Sequence, residues 1–220
     1  DEVAIMLNGT ASSFRGFDKR VWILFSGRVI ASTGYSIVMP FLAIYLSGQL
    51  GIPMATVGLL YLGMAVVGAL GQILGGELAD RLGRKSVMYT SMGLRSLVFL
   101  LLSVVISLSM GFTAIAFLVM GSAFFGSMFE PATNAVVADI VKPGRRIEAY
   151  GLLRVGQNVG WSLGPLLGGF LAIFSYSSLF IFSCIASLSV AALILLKIAE
   201  SGRREAVRDR FHPRDLLRVR

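Results

Sequence analysis

Two ionisable residues, Glu130 and Arg95, sit inside apolar stretches that have no topological need of charge, and they are the residues best placed to do chemistry. Glu130 lies nine positions before Asp139 and Arg95 ten after Lys85, which on a helix is about 13–15 Å. In a helix crossing a bilayer, both fall near the midplane. An ionised side chain there costs about 2.5–3.5 kcal/mol on insertion scales, so each should face a partner or a wet cavity. Glu130, followed by Pro131, is a candidate proton or substrate site. Its alternative role is a buried ion pair with Arg95 that joins neighbouring helices. Arg28 and Arg154 lie within snorkelling reach of basic residues at the nearer span end, and Arg28 is also a candidate contact for an anionic ligand.

A second constellation is the turn Gly76-Glu77-Leu78-Ala79-Asp80-Arg81-Leu82-Gly83-Arg84-Lys85, which reads G-x-x-x-D-R-x-G-R-K. Asp80 ends a helix, where the macrodipole disfavours an anion by about 0.3–1 kcal/mol. It therefore calls for a cation from Arg84, Lys85 or Arg81, with Gly83 permitting the tight turn between them. No phosphate-cradling loop, metal-ligand spacing or nucleophile with a base is present, so the residues give no reason to expect an enzyme, a cofactor or a metal. Cys184, the single cysteine, lies within an apolar run and reads as packing.

The elements that position these groups are six apolar runs, at about 21–46, 54–79, 86–108, 111–138, 147–173 and 177–198, each near the roughly 20 residues that cross a hydrocarbon core. With 55% hydrophobic residues and only 15% charged, the chain cannot hide its apolar surface in a soluble fold. The net charge of +8 follows topology. Basic residues flank the first run (Arg15, Lys19, Arg20), join the second to the third and the fourth to the fifth (Lys142, Arg145, Arg146), and fill the tail. The connections near 47–55, 109–111 and 174–178 carry no charge. This alternation predicts both termini in the cytoplasm of a multipass cell (inner) membrane protein and argues against nucleic-acid binding. Asn8-Gly9-Thr10 fits a glycosylation acceptor but falls on the cytoplasmic side. Residues 1–20 then form an N-terminal segment, 21–198 the bundle, and 199–220 a basic tail or the start of a linker, with affinity for anionic lipid headgroups.

A shift of 93 positions aligns Gly58-Leu59-Leu60, Gly63, Val66, Leu70-Gly71 and Leu74-Gly75-Gly76 with Gly151-Leu152-Leu153, Gly156, Val159, Leu163-Gly164 and Leu167-Gly168-Gly169. Three helices separate equivalent positions, so the two units cross in opposite senses: an all-α fold of two inverted three-helix repeats. Gly156, Gly160, Gly164 and Gly168 recur every fourth residue, as Gly63, Gly71 and Gly75 do with one gap. Small residues at this spacing let helices approach closely in lipid, within one bundle or against a second.

The charged turn resembles the loop between helices 2 and 3 of the major facilitator superfamily. Gly160-Trp161-Ser162-Leu163-Gly164-Pro165-Leu166-Leu167-Gly168-Gly169, which reads G-x-x-x-G-P-x-x-G-G, resembles the helix 5 motif of its drug/proton antiporters. The resemblance covers Trp22 to Lys197, one half of such a transporter. It implies alternating access, with proton-coupled efflux of small amphipathic compounds, a gating role for the 76–85 turn together with Asp139, and a hinge at Pro165. In the family the aspartate of the turn also caps a helix of the second half, here absent. It further implies a second six-helix half, either further along the same chain or in a homodimer. Uptake of a metabolite by the same fold, or an inactive six-helix scaffold, are the alternatives. One departure stands out: Phe117, four residues before Gly121, occupies the place of an arginine usual in such exporters. Phe41, Tyr45, Phe124, Phe125 and Phe129 are aromatic candidates for a drug cavity or for packing.

Overall fold

The computed structural model describes residues 16–199; Arg15, the Asn8 acceptor pattern and the basic tail from Glu200 onward lie outside them. Six long helices carry the chain: α1 Lys19–Ile44, α2 Met54–Leu82, α3 Arg84–Ser107, α4 Phe112–Ile140, α5 Arg146–Phe174 and α6 Tyr176–Lys197. A π-helical turn, Tyr45–Gln49, extends α1, and a 3-10 turn, Pro143–Arg145, leads into α5. The ends fall within about three residues of the expected runs. Five of the six helices are long and apolar enough to cross a membrane. The exception is α5, whose glycines, Gln157, Asn158 and Pro165 lower its hydropathy. It is as long as α2 and α4 and packs along the length of α1, so it crosses with them.

The ends are set locally. Asp18 caps α1 by accepting from the Arg20 amide at 2.8 Å, and the Arg20 side chain beside it holds its carboxyl below the usual carboxylate range. Arg146 closes α4 by donating to the carbonyls of Ala138 at 2.6 Å and Val141 at 3.2 Å, placing a cation at the negative end of the helix dipole. Only Gly83 separates α2 from α3, at φ 99° and ψ 140°. A side chain there is strained, so Gly83→Ala should cost about 1–3 kcal/mol, seen as a lower thermal unfolding midpoint in detergent.

Helix neighbours obey the repeat. α1 packs on α5 as α4 packs on α2, α1 meets α6 as α4 meets α3, and α3 and α6 pair across the pseudo-axis. The glycine stripes are consumed in these pairings. On α5, Gly156, Gly160, Gly164 and Gly168 lie against Phe25, Val29, Ser36 and Ile37 of α1; on α2, Gly63, Gly71 and Gly75 lie against Met120, Phe124 and Met128 of α4. Of the two uses open to such stripes, these positions serve contact within the bundle. Serine hydroxyls reinforce it: Ser36 donates to the Gly160 carbonyl at 2.9 Å and Ser183 to that of Gly34 at 2.6 Å. The opposite faces of α2 and α5 expose large apolar side chains, among them Leu59, Ile73, Leu166 and Ile173.

Two hydrophobic clusters fill the bundle. One surrounds Leu24, Met88 and Ile194 near the basic connections, the other Leu42, Phe99 and Phe180 towards the far end. They part at mid-depth, where a cavity opens.

Candidate functional site

This cavity, of about 510 Å³, is bordered by α1, α2, α3, α4 and α5. Arg28 stands nine residues into α1, Arg95 eleven into α3, and Glu130 ten before the end of α4. All three lie about 14–17 Å from the basic end, one shared depth, and all three line the cavity.

Their pairing differs from expectation. Glu130 meets Arg28, not Arg95: Arg28 Nη1 lies 3.8 Å from Glu130 Oε1, and Arg28 Nη2 donates to Asn134 Oδ1 at 3.5 Å. Arg28 therefore does not snorkel to the basic end. Its guanidinium stays at mid-depth, with its side chain 8% exposed against 37% for Glu130. A buried arginine thus holds a carboxylate that opens onto the cavity, at a separation too long for a tight bridge.

Arg95 has a different environment. It is 5% exposed, and its guanidinium lies over the rings of Tyr35 and Phe99, at 4.9 and 5.1 Å from their centroids. Its Nε has no hydrogen-bond partner, and neither does that of Arg28. It reaches the cavity from α3 through a gap at Gly126, where an added Cβ would stand 2.7 Å from the guanidinium carbon.

At the basic end, the cation expected beside Asp80 is engaged elsewhere. Arg84 pairs with Asp139 in the last turn of α4 and donates to the Ala135 carbonyl. Arg81 pairs with Glu77. Asp80 is exposed, and among the described residues no ion pair includes it or Lys85. The dipole argument made for Asp80 applies equally to Asp139, and Arg84 answers it at Asp139. Gly76 faces Pro131 at ordinary contact distance.

Within the α5 motif, Gly160, Gly164 and Gly168 face α1, whereas Gly169 makes only an ordinary contact with Phe41. Helical structure continues on both sides of Pro165. Trp161 lines the cavity and meets Tyr35 edge-on at 5.7 Å. Phe117 is 74% exposed and points away from the cavity. Of the aromatic candidates only Phe129 lines the cavity; Tyr45 packs on Tyr176, and Phe124 on Phe125. The sequence reading missed Tyr35, Tyr61, Asn134, Gln157 and Trp161. Polar uncharged residues within apolar runs were the available signal.

Comparison with known proteins gives these features a setting. The Major Facilitator Superfamily family model matches residues 24–218. An uncharacterized MFS-type transporter of Mycobacterium tuberculosis is 35% identical over 162 residues, 73% of this chain and 37% of the relative. The Na(+), Li(+), K(+)/H(+) antiporter of Planococcus maritimus is 30% identical over 153 residues, covering 68% and 35%. The quinolone resistance protein NorA of Staphylococcus aureus is 26% identical over 178 residues, covering 81% and 44%. The chain thus spans well under half the length of the curated relatives it matches. A crystal structure of the peptide transporter POT in complex with sulfate superposes with a TM-score of 0.67 at 21% identity, over 82% of this chain and 38% of that one, and shows the same fold. With six helices in two inverted repeats, a polar cavity between them and a family match across almost the whole bundle, the chain belongs to the major facilitator superfamily.

Proposed function

We propose that this chain is the N-terminal six-helix half of a secondary active transporter of the cell membrane. It works by alternating access, with both termini cytoplasmic, and exports small amphipathic compounds in exchange for protons. The observation that carries this reading is the Arg28 and Glu130 pair at mid-depth, with its carboxylate open to a cavity that also presents Tyr35, Tyr61 and Trp161. A proton arriving on Glu130 removes the negative charge facing Arg28, and its departure restores it. Cavity electrostatics therefore follow proton occupancy, which is the coupling an antiporter needs. The names of the Staphylococcus and Planococcus relatives, quinolone resistance and cation/proton antiport, support export and proton coupling.

A second six-helix half covers the apolar faces of α2 and α5, and exposed Asp80 is free to cap one of its helices as the resemblance implies. The 76–85 turn and Asp139 then gate the cytoplasmic side, and the Pro165 region of α5 serves as a hinge.

Glu130→Gln tests the reading in proteoliposomes holding the full-length protein. In the wild type, an imposed pH gradient should drive movement of an amphipathic dye, and dye affinity should change with pH by about 5–150-fold, the usual range for two coupled ligands. The variant should bind dye with affinity independent of pH and lose gradient-driven flux. Flux with unchanged pH dependence in the variant would rule out Glu130 as the proton site. Dye binding without flux in the wild type would favour an inactive scaffold.

A further inference from the structure

The charge balance of the cavity says what kind of compound it takes. Among the described residues it is lined by two guanidinium groups and one carboxylate, and the carboxylate lies beside Arg28. Arg95 is left with no hydrogen bond or ion pair from the described residues, although it is 95% buried and its neighbours are aromatic faces and the bare backbone of Gly126. Ring faces attract a cation but accept none of its N–H hydrogen bonds in good geometry. A guanidinium presents five N–H donors in a planar fork that fits a carboxylate, phosphate or sulfonate. The open approach to that fork is the cavity, whose wall beside it carries Tyr35, Tyr61, Met64 and Trp161.

We infer that Arg95 is the anchor for an anionic headgroup, and that the transported compound is an amphipathic anion whose apolar body lies along the Tyr35 and Trp161 wall. The inference rests on the reading of this cavity as the substrate site. Gly126 is part of the device, because any side chain there would close the gap through which α3 delivers the guanidinium. Arg28, with its own Nε unpartnered, supplies a second positive group whose field depends on the protonation of Glu130.

The test is equilibrium binding to the full-length protein in phosphatidylcholine nanodiscs, using two dyes with the same apolar body: anionic 1-anilinonaphthalene-8-sulfonate and neutral N-phenyl-1-naphthylamine. The expected result is preferential binding of the sulfonate. Arg95→Met should weaken the sulfonate by about tenfold to a hundredfold, the range for losing a charge-assisted hydrogen bond, and leave the neutral dye unchanged. Without dye, Arg95→Met should be at least as heat-stable as the wild type, since it removes an unpaired buried charge. A clear loss of stability overturns the inference, because it means that the guanidinium is already satisfied within the protein, by the Tyr35 and Phe99 faces or by a partner elsewhere in the full chain. So does equal weakening of both dyes, which marks a packing role, or no effect on either. Phosphatidylglycerol that displaces the sulfonate only when Arg95 is present identifies the anion as a lipid headgroup; no displacement identifies a soluble one. Binding does not require flux, so Arg95-dependent sulfonate binding without gradient-driven movement keeps the anion site and refutes transport. Gradient-driven movement of the cation ethidium, unaffected by Arg95→Met, does the reverse.

Discussion

Gly160→Ala is expected to lower the thermal unfolding midpoint sharply, while Gly151→Ala, nine residues earlier on the same helix, leaves it unchanged or raises it. An alanine in a helix interior is intrinsically favoured over glycine by about 0.8–1 kcal/mol, so the sign rests on what the new methyl meets. At Gly151 it meets nothing within 4 Å. At Gly160 it would stand 2.6 Å from the Val29 carbonyl oxygen and 2.8 Å from the Thr33 amide nitrogen. Those are backbone atoms of α1, and they cannot step aside as a side-chain end can. The two helices must separate, and overpacking of this kind costs about 1–3 kcal/mol. Separation also breaks the bond from Ser36 to the Gly160 carbonyl. The propensity gain is common to both variants and cancels, so the net difference between them should be about 1.5–4.5 kcal/mol, read by tryptophan fluorescence or size-exclusion melting in detergent. The inverted repeat supplies an independent copy of the experiment. Gly75 would place a methyl 2.6 Å from the Met128 Cα, and Gly58 meets nothing within 4 Å, so the same contrast should appear between Gly75→Ala and Gly58→Ala on α2. Equal melting of Gly160→Ala and Gly151→Ala would mean that α1 and α5 do not approach closely.

These contrasts mark the boundary of what the residues alone convey. Helix positions were legible because length and hydropathy are one-dimensional properties, and the repeat because its glycines recur at one fixed offset. The depth of Arg95 and Glu130 was legible for the same reason, each residue advancing the helix by about 1.5 Å; that of Arg28 was not, because a long side chain can reach either towards the basic end or into the cavity, and it takes the cavity. Direction around the helix was not. Arg95 and Glu130 share a depth, which suggested a pair, yet Arg28 on α1 lies nearer the carboxylate. The glycine stripes likewise announced close contact without naming the partner helix. At the basic end two carboxylates, Asp80 and Asp139, both end helices with an unfavourable dipole, and sequence has no means of choosing which receives Arg84. Only the packing of α3 beside α4 decides it. The passage of Arg95 past Gly126 depends on the absence of one side chain on a different helix, a relation that no local pattern encodes.

Arg84→Leu and Asp139→Asn should each destabilise the bundle by about 1.5–3 kcal/mol, the range for a charge-assisted hydrogen bond between a buried arginine and a carboxylate that is open to solvent. Their side chains are 10% and 21% exposed. With Arg84 gone, the Asp139 carboxylate loses the ion pair that joins it to α3, and the Ala135 carbonyl loses its donor. Arg81→Gln, which breaks the exposed pair with Glu77, should cost no more than about 1 kcal/mol. A double-mutant cycle on Arg84 and Asp139 should return a coupling of about 0.5–3 kcal/mol, and the exchange of Arg84 to Asp with Asp139 to Arg should recover part of the loss. Asp80→Asn is the discriminating control. Asp80 is exposed and lies outside the ion pairs of the described residues, so its neutralisation should not move the unfolding midpoint of the six-helix bundle. If Asp80→Asn proved as damaging as Asp139→Asn, Arg84 would be bound to the wrong carboxylate here. If Asp80→Asn spares stability yet reduces gradient-driven flux in the full-length protein, its partner lies in the second half. The two aspartates then divide the work: Asp139 fixes Arg84 within the bundle, and Asp80 senses whether the halves have closed.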